Sequence, residues 1–290
     1  MKQIVYENHT KNFRISHIVR NTSYDMNRRH IHKEYELYYL IRGERYYFID
    51  SQTYHITPGS LVLIPSGTLH KTLNVNTDEG HERILLIVNE EWINPFLHNT
   101  GLPSLSTYFH QPIIHFDEFK QKYVCQLFDD IYQEVATKQA NYEVSIKLKL
   151  SELLILISRC RSTTTDISAP FVSQSAKHQK VNEATYYIKE HFCEPISLQQ
   201  VADHVFVSRG YLSNIFNEVT GMKLTEYVNL QRINYAKELL ANSSENITTI
   251  ANNCGFENIT YFERIFRQVT GDTPLKYRQS IKNLRLITQK

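Results

Sequence analysis

Residues 247–278 read ITTIANNCGFENITYFERIFRQVTGDTPLKYR, and this stretch decides the fold of the C-terminal part of the chain. Apolar residues recur at helical spacing until Gly255, which suits the positive backbone dihedral of a sharp turn. Asn258 can then cap a second helix, which Gly271 ends. The polar face of that helix is formed by Thr260, Glu263, Arg264 and Arg267. Two helices joined by a glycine turn, the second with a cationic face, predict a helix-turn-helix motif suited to a DNA major groove.

The same pattern occurs once more upstream, at a nearly constant offset of fifty residues. Ala202 matches Ala251 at an offset of 49, so the downstream turn is one residue longer. A repeat in register is more specific than one copy, and it predicts two helix-turn-helix units over 198–219 and 247–270. The apolar pairs shared by the two copies are expected to lie in the core: Leu212 and Phe262, Ile215 and Ile265, Phe216 and Phe266, Val219 and Val269.

A longer motif links this region to a known family. Residues 251–267 fit A-x-x-x-G-F-x-x-x-x-Y-F-x-R-x-F-R, and residues 271–278 fit G-x-x-P-x-x-Y-R. On these motifs, residues 181–280 resemble the DNA-binding domain of AraC/XylS-type transcriptional regulators. The first copy departs from the pattern, because Phe206 and Val207 stand where the second copy has Gly255 and Phe256. The resemblance implies two units, joined by a long helix, that enter successive major grooves on one face of double-stranded DNA.

The resemblance also implies which side chains meet DNA. Arginine can fork onto guanine and asparagine onto adenine, whereas contacts with phosphate position the protein without specifying a sequence. Tyr211 and Tyr261 are compatible with either a core or a groove position. The base-reading residues are expected to be Ser213, Asn214, Thr260, Tyr261 and Arg264. The phosphate-binding residues are expected to be Arg209, Lys223, Arg267, Lys276 and Arg278.

Composition describes an ordinary folded protein. The chain has 290 residues, 41% of them apolar and 21% charged, which suits two domains with substantial cores. The net charge is only +2, so charge alone does not indicate a nucleic-acid partner. The four cysteines are scattered without a metal-binding pattern. No signal peptide or membrane-length apolar run is present, so a cytoplasmic protein without a membrane partner is expected.

The N-terminal part alternates like a set of short strands. Turn residues such as Gly43, Gly59 and Gly67 separate them. Many short strands in tight sequence predict a small β-barrel or jelly roll over residues 1–115. The expected strands are 36–41, 45–49, 53–56, 60–64 and 83–88.

Two fragments of this region carry candidate site residues. The pattern H-x-H-x3-E-x6-G begins at His30 and contains His32 and Glu36, and the pattern G-x5-P-x-G-x2-H-x3-N contains His70. Both are similar to the two motifs of the cupin family, which implies a cupin-like barrel. His30 and His32, if they lie on a strand, point to the same face. Glu36 and His70 from neighbouring strands are then expected to converge on them.

This cluster has three interpretations. Imidazoles and a carboxylate suit Fe, Mn, Zn or Ni, they suit a small-molecule pocket without metal, and they also occur as structural histidines. The favoured interpretation is a pocket for a small-molecule effector with no metal and no cofactor. Its expected residues are His30, His32, Glu36, Tyr38 and His70, with aromatic walls from Tyr46 and Phe48.

After residue 117, apolar residues recur at about every fourth position and no longer at every second position. Phe119, Tyr123, Leu127, Ile131 and Val135 predict one face of a helix over 118–138, and a second helix is expected over 144–160. One interpretation is that these helices only pack on each other and on the barrel. The interpretation that the family also implies is a helical dimerisation segment, 116–161, in a homodimer. The Ser/Thr-rich residues 162–180 are expected to be an interdomain linker.

Together these patterns predict an α+β protein. An N-terminal cupin-like barrel and helical segment precede an all-α DNA-binding domain over 181–290. The expected function is sequence-specific regulation of transcription, by an activator that responds to a small polar metabolite and engages RNA polymerase. The alternative is a metal-dependent cupin enzyme with an accessory DNA-binding domain.

Overall fold

Side-chain alternation in the N-terminal half produces two antiparallel sheets. The computed structural model describes residues 2–22, 24–26, 31–75, 79–162, 173 and 175–288, and the chain divides into a first unit, Met1–Ser175, and a second unit, Ala176–Lys290. The strands of the first unit are β1 (Lys2–His9), β2 (Phe13–Arg20), β3 (Tyr35–Arg42), β4 (Arg45–Ile49), β5 (Gln52–Ile56), β6 (Ser60–Ile64), β7 (His70–Asn74), β8 (His81–Val88) and β9 (Ile113–His115). The larger sheet has the order β1-β2-β8-β3-β6-β9, and the smaller sheet has the order β5-β4-β7.

The central strands β3 and β6 of the larger sheet are buried on both faces, as their composition indicates. On β3, Leu37 and Tyr39 belong to a core that includes the helices of the first unit. The alternate residues Tyr38 and Leu40 join a second core with side chains of β4 and β5 from the smaller sheet. A strand that is covered on both faces has a nearly continuous run of apolar residues, as β3 has in the sequence YELYYLIR.

Three α-helices of the first unit pack on the outer face of the larger sheet: α1 (Glu90–Asn99), α2 (Glu118–Thr137) and α3 (Tyr142–Ser162). The predicted apolar face of α2 is wrong at its start, since Phe119 is 90% exposed and Tyr123 is 44% exposed. A spacing of four residues overshoots one helical turn by about 40°, so a repeat of four drifts around the helix. The buried stripe is instead Val124, Leu127, Phe128, Ile131 and Val135.

Several boundaries differ from the sequence-based expectation. The expected strands are all present, but β1, β2, β7 and β9 were not expected, and α1 lies inside the region assigned to the barrel. His32 is not on a strand, because β3 begins at Tyr35. The expected linker, 162–180, overlaps α3 at Ser162, and α4 (Ala176–His191) already begins within it. Most of the remaining linker residues lie outside the described part of the chain.

The second unit is helical throughout its described length. Its elements after α4 are α5 (Leu198–His204), α6 (Arg209–Thr220), α7 (Leu224–Asn242), α8 (Ile247–Asn253), α9 (Ile259–Thr270) and α10 (Pro274–Thr288). Helices α5 and α6 form the first helix-turn-helix unit, helices α8 and α9 form the second, and α7 connects them. The α+β organisation predicted from the sequence is therefore confirmed.

The predicted caps of these helices are confirmed. Ser197 and Gln200 form a capping box at α5, and Ser208 and Asn258 accept the backbone N–H of the third residue beyond them at α6 and α9. Gly221 ends α6 in the left-handed conformation, as Gly271 ends α9. The matched apolar pairs are buried as expected, with one exception, since Val269 is 38% exposed.

The turn of each unit has one residue with positive φ. Gly255 has φ of +82° in the second unit, and Phe206 has φ of +56° in the first. The two positions differ in their surroundings: a Cβ on Gly255 would lie 2.5 Å from the carbonyl oxygen of Cys193, whereas the Phe206 side chain is 89% exposed. Arg232 of α7 donates to the carbonyl oxygens of Phe192 and Glu194 in the same connection after α4. The end of α4 therefore contacts both α7 and the second turn.

Replacement of Gly255 by alanine is expected to destabilise the second unit. The change combines left-handed backbone strain with a contact that the Cys193 backbone cannot relieve, and a loss of about 2 kcal/mol or more in the free energy of unfolding follows. The matched control is Gly210→Ala in α6, where a Cβ meets no atom within 4 Å. That variant should be unchanged or more stable by about 0.5–1 kcal/mol. Denaturant unfolding of both variants tests this, and equal stabilities would contradict the role given to Gly255.

Candidate ligand pocket and nucleic-acid interface

A cavity of about 170 Å3 lies between the inner faces of the two sheets. Strand register explains its lining: Arg20 pairs with His81 across β2 and β8, and Tyr38 pairs with Leu85 across β3 and β8, so these side chains share one face. The smaller sheet contributes Tyr47 and Thr72. The polar lining residues are Arg14, Arg20, Tyr24, His32, Glu36, Tyr38, Tyr47, Thr72, His81 and Arg83.

A buried carboxylate organises one end of this cavity. Glu36 is 5% exposed, and its Oε1 accepts the hydroxyl of Tyr47 at 2.9 Å. Its Oε2 lies 3.1 Å from Nε2 of His32 and 3.6 Å from Nε2 of His70. His32 and two residues of the smaller sheet, Tyr47 and His70, thus converge on a single carboxylate.

The protonation of this cluster follows from its other contacts. Nδ1 of His32 lies 3.0 Å from the carbonyl oxygen of Glu34, and Nδ1 of His70 lies 3.0 Å from that of Thr68, so both Nδ1 atoms are assigned as donors. Burial of Glu36 favours the neutral acid, but the hydrogen bond from His32 and the electrostatic attraction of the neighbouring His70 outweigh burial and lower the Glu36 pKa. For His32 burial lowers the pKa, yet the hydrogen bond and charge of Glu36 prevail and the pKa is raised. His32 and Glu36 therefore form a charged pair.

The same atoms have the types and spacing that a divalent metal requires. Nε2 of His32, Oε2 of Glu36 and Nε2 of His70 can be chosen so that all lie within 4.8 Å of one another. Each Nδ1 already contacts a backbone carbonyl, which is the usual support for a metal-bound imidazole. The set would bind the ion through two nitrogens and one oxygen, a combination that suits Fe, Mn or Zn. The residues therefore fit a metal as well as they fit direct pairing.

The pocket predicted from the sequence is only partly the observed one. His32, Glu36 and Tyr38 line the cavity, and His70 contacts it through Glu36. The remaining predicted member, His30, lies outside the described residues.

Tyr38 lines the cavity as predicted, but the aromatic residues expected beside it do not. Tyr47 lines the cavity instead, whereas Tyr46 lies against His55 with its ring tilted, and Phe48 pairs in register with Thr53 and Lys71. A shift of one residue along β4 exchanges the two faces of the sheet.

Sequence reasoning missed the cationic part of the lining. Arg20 and Arg83 face the cavity from β2 and β8, and Arg45 lies behind it with 1% exposure. Burial and the neighbouring arginines lower the pKa of His81 to about 3, so this imidazole is neutral. No local motif marks these residues, since the strands that unite them are far apart in sequence.

The exposed face of α6 carries the residues assigned to the first DNA contact. Ser213 and Asn214 are exposed, one and two positions beyond the buried Leu212, and Arg209 is exposed at the start of the helix. Gly210 presents no side chain and has open space around its Cα. This face therefore offers short polar groups.

Side chains on the exposed face of α9 make more contacts with one another and with α7 than the short polar groups of α6 do. The hydroxyl of Tyr261 accepts a hydrogen bond of 2.8 Å from the side-chain amide of Asn229 on α7. The guanidinium of Arg264 lies 5.0 Å from the centroid of the Tyr261 ring, which is within range of a cation–π contact. Tyr261 is thus held at its hydroxyl by α7 and supports Arg264 with its ring. Thr260 is exposed on the same helix.

Four of the five residues assigned to phosphate are exposed: Arg209, Lys223, Arg267 and Lys276. Arg278 is different, because it is only partly exposed and its Nη2 donates to the carbonyl oxygen of Glu245 at 2.6 Å. Arg278 therefore also ties α10 to the residue before the N-cap of α8.

Comparison with known proteins matches each of the two units to a family model. A family model described as an AraC-like ligand binding domain matches residues 15–154, and one described as a helix-turn-helix domain matches residues 201–280. The first match contains every lining residue of the cavity except Arg14, and the second contains both α6 and α9.

Three curated relatives show how much of the chain is shared. The regulatory protein PocR of Salmonella typhimurium is 40% identical over 102 residues, which is 35% of this chain and 34% of PocR. The chain thus aligns with only about a third of that relative. The arabinose operon regulatory protein of Escherichia coli is 27% identical over 254 residues, 85% of this chain and 80% of that protein. The HTH-type transcriptional activator RhaR of Escherichia coli is 26% identical over 254 residues, 86% of each chain.

A cavity in a ligand-binding domain and two helix-turn-helix units define a ligand-responsive regulator of transcription. The chain belongs to the AraC family of transcriptional regulators, as the motif around Gly255 predicted. It is accordingly a sequence-specific DNA-binding protein and not the metal-dependent enzyme considered as the alternative. In the described part of the chain, no helix is long and apolar enough to cross a membrane.

Proposed function

We propose that this chain activates transcription when a small polar metabolite occupies the cavity of the first unit. The observation that supports this proposal is a partly enclosed cavity, lined by arginines, tyrosines and Glu36, within the part of the chain that matches a ligand-binding domain. A bound effector changes DNA affinity only if it favours one arrangement of the protein over another. A coupling of about 1–3 kcal/mol between effector and DNA is the usual magnitude. Activation, the sign carried by the name of RhaR, requires RNA polymerase as a further partner.

The effector is proposed to bind without a metal. Direct contacts with Tyr47 and His32 already satisfy both oxygens of Glu36, so the cluster is stable with no ion between its members. Metal analysis of purified protein distinguishes the two cases. Stoichiometric metal, together with a transcriptional response that chelation abolishes and one metal restores, would contradict the metal-free proposal.

Substitution of His32 by alanine is expected to abolish the response to the effector. The change removes one wall of the cavity and the charged partner of Glu36, while the helix-turn-helix units remain intact. A reporter gene fused to the bound promoter measures the response, and a gel-shift assay measures operator binding without effector. The matched control is His55→Ala, since His55 pairs with Glu44 and is absent from the cavity. Normal induction of the His32→Ala protein would show that the cavity is not the effector site.

Base recognition is proposed to come mainly from α9. Thr260, Tyr261 and Arg264 share its exposed face, and Arg264 is supported by the ring of Tyr261. Ser213 and Asn214 of α6 are proposed to read bases in the neighbouring groove. The proposed phosphate contacts are those of Arg209, Lys223, Arg267, Lys276 and Arg278.

Alanine substitution of Arg264 and of Arg267 is expected to have different effects on DNA binding. A base-reading Arg264 contributes about 1–3 kcal/mol to the specific site and little to random DNA. A phosphate-binding Arg267 contributes to every sequence alike, and its loss should reduce the slope of log affinity against log salt by about one. Binding of both variants to operator and random DNA over a salt series measures this. Equal losses on both DNAs for Arg264→Ala would exclude it as a base reader.

A homodimer is proposed to form through the helical hairpin of α2 and α3. Phe119 and Tyr123 on α2 are exposed, as are Val144 and Leu148 on α3. The Tyr123 hydroxyl contacts the carboxylate of Glu152, one helical turn beyond Leu148, so the two sets of residues lie along one side of the hairpin. An exposed apolar stripe of this kind is typical of a protein–protein interface.

The variant Leu148→Glu is expected to weaken the dimer, because it places a charge in an apolar contact. The matched control is Leu275→Glu on α10, since Leu148 and Leu275 have nearly equal exposures of 56% and 55%. Light scattering over a range of protein concentrations measures the molar mass. A dimer for wild type and control and a monomer for Leu148→Glu is the expected result. A wild-type protein that stays monomeric would exclude the proposed dimer.

A further inference from the structure

The cavity of the first unit contains an excess of positive charge. Arg20 and Arg83 line it, and Arg45 lies buried behind it. Among the described residues, no carboxylate forms an ion pair with any of these three guanidinium groups. Within the same set of residues, Arg83 donates to the hydroxyl of Ser16 at 3.3 Å and lies over the ring of Tyr38 at 5.7 Å, and Arg20 lies over the ring of Tyr24 at 3.5 Å.

The acidic groups near the cavity are already engaged. Glu36 is paired with His32 and accepts from Tyr47. Asp25 accepts the backbone N–H of Asn74 at 2.6 Å, and its charge acts favourably on Arg45. After these pairings, Arg20 and Arg83 still have no acidic partner within the described residues.

Two polar atoms of the lining are buried without a hydrogen-bond partner among the described residues. These are the hydroxyl of Tyr38 and Nδ1 of His81, on side chains that are each only 4% exposed. The Nε and Nη2 atoms of Arg45 are buried in the same way. Unsatisfied buried polar atoms are rare in folded proteins, and a group of them around one cavity indicates that a ligand completes their hydrogen bonds.

We infer that the effector is a small organic anion, whose carboxylate or phosphate group binds Arg20 and Arg83 and accepts the hydroxyl of Tyr38. This inference rests on the proposed function of the cavity. Planar guanidinium groups match carboxylate and phosphate in charge and in geometry. A neutral His81 adds no charge of its own, so the attraction comes from the arginines.

The size of the cavity limits the ligand further. A volume of about 170 Å3 is close to that of an engineered cavity that holds benzene, about 150 Å3. The part of the ligand that enters the cavity is therefore about the size of benzene or of a small hydroxy acid.

Thermal denaturation of the full chain with matched pairs of small molecules tests the inference. The probes are lactate against propane-1,2-diol, galacturonate against galactose, and glycerol 3-phosphate against glycerol, all at millimolar concentration and equal ionic strength. At least one anion should raise the Tm of the first unit, by about 3–6 °C at ten times its Kd, while its neutral partner should not. The pairs also distinguish a carboxylate from a phosphate.

Two variants, Arg20→Gln and Arg83→Gln, test the residues. Each should lose the anion-induced rise in Tm, and Arg42→Gln, whose side chain is exposed and pairs with Glu82, should retain it. Without ligand, both variants should melt at or above the wild-type temperature, because removal of an unpaired guanidinium relieves repulsion. Lower melting of both unliganded variants would mean that the arginines stabilise the fold, and would overturn the inference.

The remaining outcomes are also decisive. A rise in Tm with galactose, glycerol or the diol that equals the rise with the acid would overturn the anionic class and leave the cavity as the effector site. No rise with any of the anions would overturn the inference as well. The proposed function is then judged separately by the reporter response of His32→Ala.

Discussion

Burial of both faces of the central strands of the larger sheet is the constraint on which the first unit depends. One face packs on α2 and α3, so the other face must meet the smaller sheet, and side chains alternate between apolar core and cavity along β2, β3 and β8. Polar groups inside such a structure require partners, because burial of an unpaired charge is unfavourable. Glu36 satisfies this requirement through His32 and Tyr47. The alternation of side chains that places apolar residues in the core therefore also determines which residues line the cavity.

Local signals explain why so much of the second unit could be predicted. A glycine with positive φ at residue 255, N-caps at Ser208 and Asn258, and C-caps at Gly221 and Gly271 act within a few residues, so the sequence alone indicates where helices begin and end. Repetition of the pattern removed most of the remaining ambiguity. The exposure of Val269 was not predicted, since it depends on the packing of the unit and not on helical spacing.

The cavity was harder to predict because distant strands form it. The motif around His32 and Glu36 indicated one end, but Arg20 and Arg83 meet only through the pairing of β2 with β8, more than sixty residues later in the chain. Neither strand pairing nor its register can be obtained from one local pattern. Tyr47 could not be distinguished from its neighbour Tyr46 for a related reason, since both are aromatic and only the direction in which each side chain points from β4 separates them. Residues that come together only through the register of paired strands can be identified only from the structure.

The connection after α4 fixes the distance between the two helix-turn-helix units. Arg232 holds α7 to the carbonyl oxygens of Phe192 and Glu194, and Gly255 packs on the backbone of Cys193 between them. Helix α4 also packs against the first helix-turn-helix unit, so α4 and the connection after it contact both helix-turn-helix units. Over evolutionary time, a changed base in a binding site can be matched by one substitution on α6 or α9. An inserted base pair between the bases that α6 and α9 contact cannot be matched by one substitution. The distance between these two groups of bases should therefore diverge more slowly than the bases themselves.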